Sequence, residues 1–156
     1  MDEYVINLGK LVANLHSLEF VLRAFLLNHS RARGIPQIDY NGLNVGDTVA
    51  EDAFTNYDSL AELIDKYNAA VLTIDASLAI PKDVVGVRDA IAHGRVSSDT
   101  LSAPMKLLKF SRPKGGHVTV THAVSVDTRW LADRYREVAA SLRKVADANG
   151  RVAGYV

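Results

Sequence analysis

The sequence predicts a mainly α fold: a helical bundle with long first and last helices and an inserted β-hairpin at about residues 105–126. Three observations carry this reading. Apolar residues recur every three or four positions over residues 3 to 29, and again after Asp127. Between these stretches the period changes to two, where "MKLLKFSR" and "HVTVTHAVSV" flank the turn-forming "PKGG". A chain of 156 residues with 48% apolar content suits one core, so residues 1–156 read as a single domain.

The first helix is the clearest element. Leu8, Leu11, Leu15, Leu18, Leu22 and Phe25 form an apolar seam, which Val5, Val12, Phe20, Val21, Leu26 and Leu27 widen. A helix this apolar is expected to pack on two sides, one of them against a second copy of the chain. Gly34 and Pro36 are expected to end it. Residues 30 to 55 are rich in turn formers and read as an ordered surface excursion with one short strand. Residues 57 to 73 read as a second helix, with Tyr57, Leu60, Ile64, Tyr67 and Val71 on its buried face. Ser59 and Glu62 have capping-box spacing, although Asn56 or Asp58 also suits the cap.

A third helix is expected from near Pro81 to Gly94, with Val84, Val87 and Ile91 as its core stripe. In the hairpin's second strand, Val118, Val120, His122, Val124 and Val126 share one face, so His122 reads as a core histidine. Asp127 caps the last helix, Leu131, Tyr135, Val138, Leu142 and Val145 line its buried face, and Gly150 ends it.

The composition narrows the chemistry. The chain has no cysteine, which removes disulfides, thiolate zinc sites and a cysteine nucleophile. The start "MDEYVINLGK" has no apolar signal core, and no uninterrupted apolar run approaches the roughly 20 residues of a membrane span. A cytoplasmic protein with no membrane association is therefore expected. No histidine–carboxylate pair has a recognisable metal spacing, and neither a P-loop, a dinucleotide fingerprint nor a nucleophile elbow occurs. No metal or cofactor is expected. Net charge is zero, but residues 1 to 80 hold 5 basic and 11 acidic groups, whereas residues 81 to 156 hold 13 and 7. The second half, at +6, suits an anionic partner such as RNA, or attraction to the first half at −6.

One short stretch concentrates candidate chemistry. "VRDAIAHGRV" places Arg88, Asp89 and His93 on the third helix. Asp89 and His93 are four apart and neighbours on one face. His93 sits at the C-terminal end, where the dipole favours imidazolium, and Asp89 is placed to fix its tautomer. Arg88 offers a forked cation suited to phosphate. Each residue also has an ordinary role, as helix cap, surface pair or snorkelling cation. Arg95 follows directly, as a phosphate contact or a plain surface residue. Lys109, Arg112 and Lys114 make a basic hairpin tip, or a solvated turn. His16 and Asn14 approach the motif if the first helix lines a dimer interface.

"RDAIAHG" resembles the signature of the HEPN superfamily (higher eukaryotes and prokaryotes nucleotide-binding domains): an arginine, a small polar residue, then a histidine. Arg88, Asp89 and His93 fill those places, with four residues between arginine and histidine. Beyond the motif helix, the likeness extends in outline to a helical domain with long first and last helices. The resemblance implies a homodimer whose arginine–histidine motifs meet at the interface. It implies metal-independent endoribonuclease activity in toxin–antitoxin, abortive-infection or RNA-processing systems, with Arg88 and His93 catalytic and Asp89 orienting the histidine. An antitoxin or other protein partner belongs to that picture. So does the alternative, a non-catalytic dimeric binding or interaction module. On one ideal helix Arg88 and His93 point about 140° apart, so they converge more easily across two chains. The hairpin departs from the family's all-helical outline.

Overall fold

The computed structural model describes residues 2–31, 38–98 and 105–154. In chain order these form α1 (Asp2–Arg31), α2 (Leu60–Val71), α3 (Asp83–His93), β1 (Arg95–Ser97), β2 (Met105–Phe110), β3 (Val120–Val126) and α4 (Thr128–Ala153). The fold is mainly helical, with a small three-stranded antiparallel sheet in the order β1-β2-β3. The expected hairpin is β2–β3. The strand β1 adds to it and was not anticipated, because three residues are too few for an alternating pattern to register. The residues group into two compact units, Met1–His16 with Pro81–Ala140, and Ser17–Ile80 with Ser141–Val156.

The first unit holds α3, the sheet and the leading parts of α1 and α4. Its core includes Leu11, Leu15, Val84, Val87, Ala90, Leu107, Val126, Leu131 and Val138. The Oδ1 of Asp127 accepts from the backbone N–H of Trp130 at 2.7 Å, so the expected cap of α4 forms. At the hairpin tip, Lys114 and His117 exchange backbone hydrogen bonds around Gly115 (φ 59°) and Gly116 (φ 78°). Positive φ at both central residues matches the right-handed twist of the flanking strands, and glycine adopts it without strain.

The apolar strand face is corrected by the structure. Val126 is buried, but Val118 and Val120 are about half exposed and His122 is exposed. His122 is therefore no core histidine. Alternation located the face, but no layer of the first unit covers its outer end.

The second unit packs Leu18, Leu22 and Phe25 of α1 with α2 and the closing turns of α4. The capping box of α2 forms as expected, with Ser59 and Glu62 bonding reciprocally. Tyr57 lies outside that helix and is fully exposed, contrary to expectation, because the box starts the helix after it. Tyr67 is buried, stacks edge-on against Phe25 at 4.8 Å and donates to the Leu78 carbonyl at 2.9 Å.

Of the excursion at residues 30 to 55, the described part contains a single 3-10 turn at Tyr40–Gly42 and no strand. It is ordered by polar bonds. Arg23 donates to the carbonyls of Ala53, Asn56 and Asp58 and to the Asn56 side chain. Gly34 and Pro36 lie outside the described residues.

The end of the last helix also differs. Gly150 lies inside α4, and the stop comes at Gly154, in left-handed conformation at φ 75°. By length and composition, Glu3–Arg31 is long and apolar enough to cross a membrane, a test the core helix of a soluble protein also passes. Its polar residues interrupt the apolar run, so a search for unbroken stretches does not register it.

Candidate functional site

The site begins with the way α3 meets the sheet. Its buried stripe is Val84, Val87 and Ala90, and Ile91 is only half-buried. The expected stripe is thus rotated towards Ala90. The reason lies one turn on, at Gly94. A Cβ there would stand 2.2 Å from the Ala90 carbonyl oxygen and 2.6 Å from Leu107 Cδ1 of β2. The end of α3 comes so close to β2 that no side chain fits at position 94. Gly94 itself is extended, at φ −70° and ψ 153°, so close approach explains it and a left-handed cap does not.

This packing turns the motif side chains outward. Arg88 and Asp89 are half-buried, and His93 is exposed at the helix end. Arg88 Nη1 donates to Asp89 Oδ1 at 3.0 Å, and Lys109 Nζ lies 3.6 Å from Asp89 Oδ2. Asp89 therefore sits between two cations from α3 and β2. Among the described residues it makes no hydrogen bond to His93, so the expected orienting contact is replaced by one to Arg88. Half-exposed pairs of this kind contribute about 0–1 kcal/mol each and serve mainly to place the groups.

His93 lines an open cleft of about 330 Å³ with Arg95, Lys109, Phe110, Ser111 and Val118. β1 creates this arrangement. Its first residue, Arg95, pairs with Leu108 of β2, and its guanidinium lies 5.8 Å from the Phe110 ring centroid. The cleft thus holds one imidazole, two cations and an aromatic ring, a set that suits a phosphodiester with an adjacent base. Of the sequence candidates, the fold brings together His93, Arg95 and Lys109, with Arg88 and Asp89 tied to Lys109. Arg112 and Lys114 are exposed on the hairpin, outside the lining of this cleft. His16 is exposed and Asn14 half-buried on α1, with no hydrogen bond to the motif.

Sequence reasoning missed Phe110. It ends an apolar strand pattern, and nothing marks it out until β1 sets Arg95 beside it. Among the described residues no group of three or more His, Asp or Glu could hold a metal ion. Comparison of the chain with protein-family models, with curated proteins and with solved structures finds no match.

Proposed function

We propose that the chain is a HEPN-like domain that cleaves RNA without a metal ion, using Arg88 and His93 brought together in a homodimer. The observation that carries this reading is the exposed His93 imidazole, seated in an open cleft with Arg95, Lys109 and Phe110. In the reaction His93 takes the proton of a ribose 2′-hydroxyl. The 2′-oxygen bonds to phosphorus, the bond to the 5′-oxygen breaks, and that oxygen takes a proton from imidazolium. The products are a 2′,3′-cyclic phosphate and a 5′-hydroxyl. Arg88 of the other protomer stabilises charge on the phosphorane oxygens, and Asp89 positions that arginine. Arg95 and Lys109 hold neighbouring phosphates, and Arg112 and Lys114 extend the basic path. This reading places the protein in the cytoplasm, in a toxin–antitoxin or abortive-infection setting with an antitoxin as partner.

The test is incubation of purified protein with mixed RNA in EDTA. Fragments ending in cyclic phosphate are expected. His93→Ala and Arg88→Ala should each lower the rate by about 10²–10⁴-fold while leaving the fold intact. Cleavage that survives both changes, or that requires a divalent ion, overturns the mechanism.

A second reading, a non-catalytic dimeric binding module, is favoured by one observation: the Arg88 guanidinium is already engaged by Asp89 at 3.0 Å. Its signature is a folded dimer that retains RNA or a protein partner and releases no fragments.

A further inference from the structure

A second cleft, of about 390 Å³, lies within the first unit between α3, the β2–β3 hairpin and the start of α4. Three local irregularities converge on it. Gly86 stands in the interior of α3, where glycine costs about 0.5–1 kcal/mol relative to alanine. It lines this cleft, and a Cβ there would meet nothing within 4 Å. The β2–β3 register shifts between Lys109 and Phe110, which pair with His122 and Val120. Thr121 is the residue left over, and this bulge gives it and His122 to the cleft wall. Finally, Arg134 of α4 lines the cleft with its Nη1 on Glu137 at 2.7 Å, while its Nε is buried with no acceptor among the described residues.

The lining chemistry says what fits. Trp130 offers a flat aromatic surface, Val87 and Ala90 add aliphatic ones, and Arg134 and Lys109 offer cationic donors. Asp83, in the first turn of α3, supplies an acceptor. The volume is at the small end of ligand pockets, about 300–1,000 Å³. We propose that this cleft binds a small planar aromatic molecule carrying one acidic group, with the ring against Trp130 and the acid on Arg134. The site shares Lys109 with the proposed RNA path, but its test rests on Trp130 and Arg134, which that path does not use.

Trp130 is the only tryptophan in the chain, so its fluorescence reports the cleft directly. The protein is titrated with adenosine 5′-monophosphate and with benzoate, against the neutral adenosine and benzamide, with saturation-transfer NMR as a second readout. At least one anion should give a saturable change with a midpoint below about 1 mM, and its neutral counterpart should bind at least tenfold more weakly. The response identifies whether phosphate or carboxylate is preferred. Arg134→Gln should weaken the anion at least tenfold, and Gly86→Leu, which fills the cleft, should abolish the response. Circular dichroism verifies that both variants fold, and Arg134→Gln carries the test if Gly86→Leu does not. No saturable change with either anion overturns the proposal, as does equal binding of the neutral molecule or unchanged affinity in Arg134→Gln.

Discussion

Two glycines eight positions apart on one stretch of chain answer to opposite demands. At Gly94 an added methyl collides with the Ala90 carbonyl and with Leu107; at Gly86 it enters open space. Gly94→Ala should therefore destabilise the protein by roughly 1–3 kcal/mol, the usual cost of overpacking. Gly86→Ala should stabilise it by about 0.5–1 kcal/mol, through helix propensity. Urea denaturation of the two variants checks the pair, and equal signs would show that the contact at Leu107 does not control the end of α3. The sequence marks both positions as glycine and separates them no further. A helix stop suffices to explain Gly94 until the distance to β2 is known. The site was legible to the same degree. Arg88, Asp89 and His93 stand out by residue type and spacing, whereas the engagement of Asp89 with Arg88 depends on rotamers that spacing does not encode.

Among the elements, those with strong periodicity were legible and those held by polar bonds were not. The seam of α1, the capping box of α2 and the Asp127 cap all follow from local pattern. The excursion before α2 has no pattern, because its order comes from Arg23 and from the pair of Tyr40 with Asp52. That pair has a pH signature. Burial pushes the Tyr40 phenol up, the Asp52 hydrogen bond and charge add to this, and it reaches about 12. Burial raises the Asp52 carboxyl, but the Tyr40 hydroxyl and the backbone N–H groups of Phe54 and Thr55 outweigh it and hold it below the usual range. With a depressed carboxyl, the contribution is present above the ordinary aspartate range and is lost as pH falls through the folded value. With a raised phenol, stability is full below the ordinary tyrosine value and is lost as pH rises through about 12. Asp52→Asn should bring the Tyr40 phenol down towards its ordinary value. Spectrophotometric titration, with Tyr40→Phe assigning the signal, measures it. A Tyr40 midpoint unmoved by Asp52→Asn would leave the excursion without this fastening.

For the whole molecule, the proposed dimer turns on whether the arginine–histidine motifs of two chains meet. Residues 81 to 156 carry the basic excess together with the motif and the cleft. Val5 and Ile6 of α1 are each more than half exposed, the kind of apolar surface the proposed second copy would cover. In the proposed dimer each active site takes Arg88 from one chain and His93 from the other, which makes a complementation experiment decisive. Arg88→Ala and His93→Ala should each be inactive alone. Mixed after dissociation, about half the dimers pair one chain of each kind, and each mixed dimer restores one complete site while doubling the damage in the other. The mixture should therefore recover about a quarter of the wild-type cleavage rate. A site built within one chain gives no recovery at any mixing ratio, because every site then lacks either the guanidinium or the imidazole. Recovery near a quarter, rising with the fraction of mixed dimers, places the two groups on different protomers.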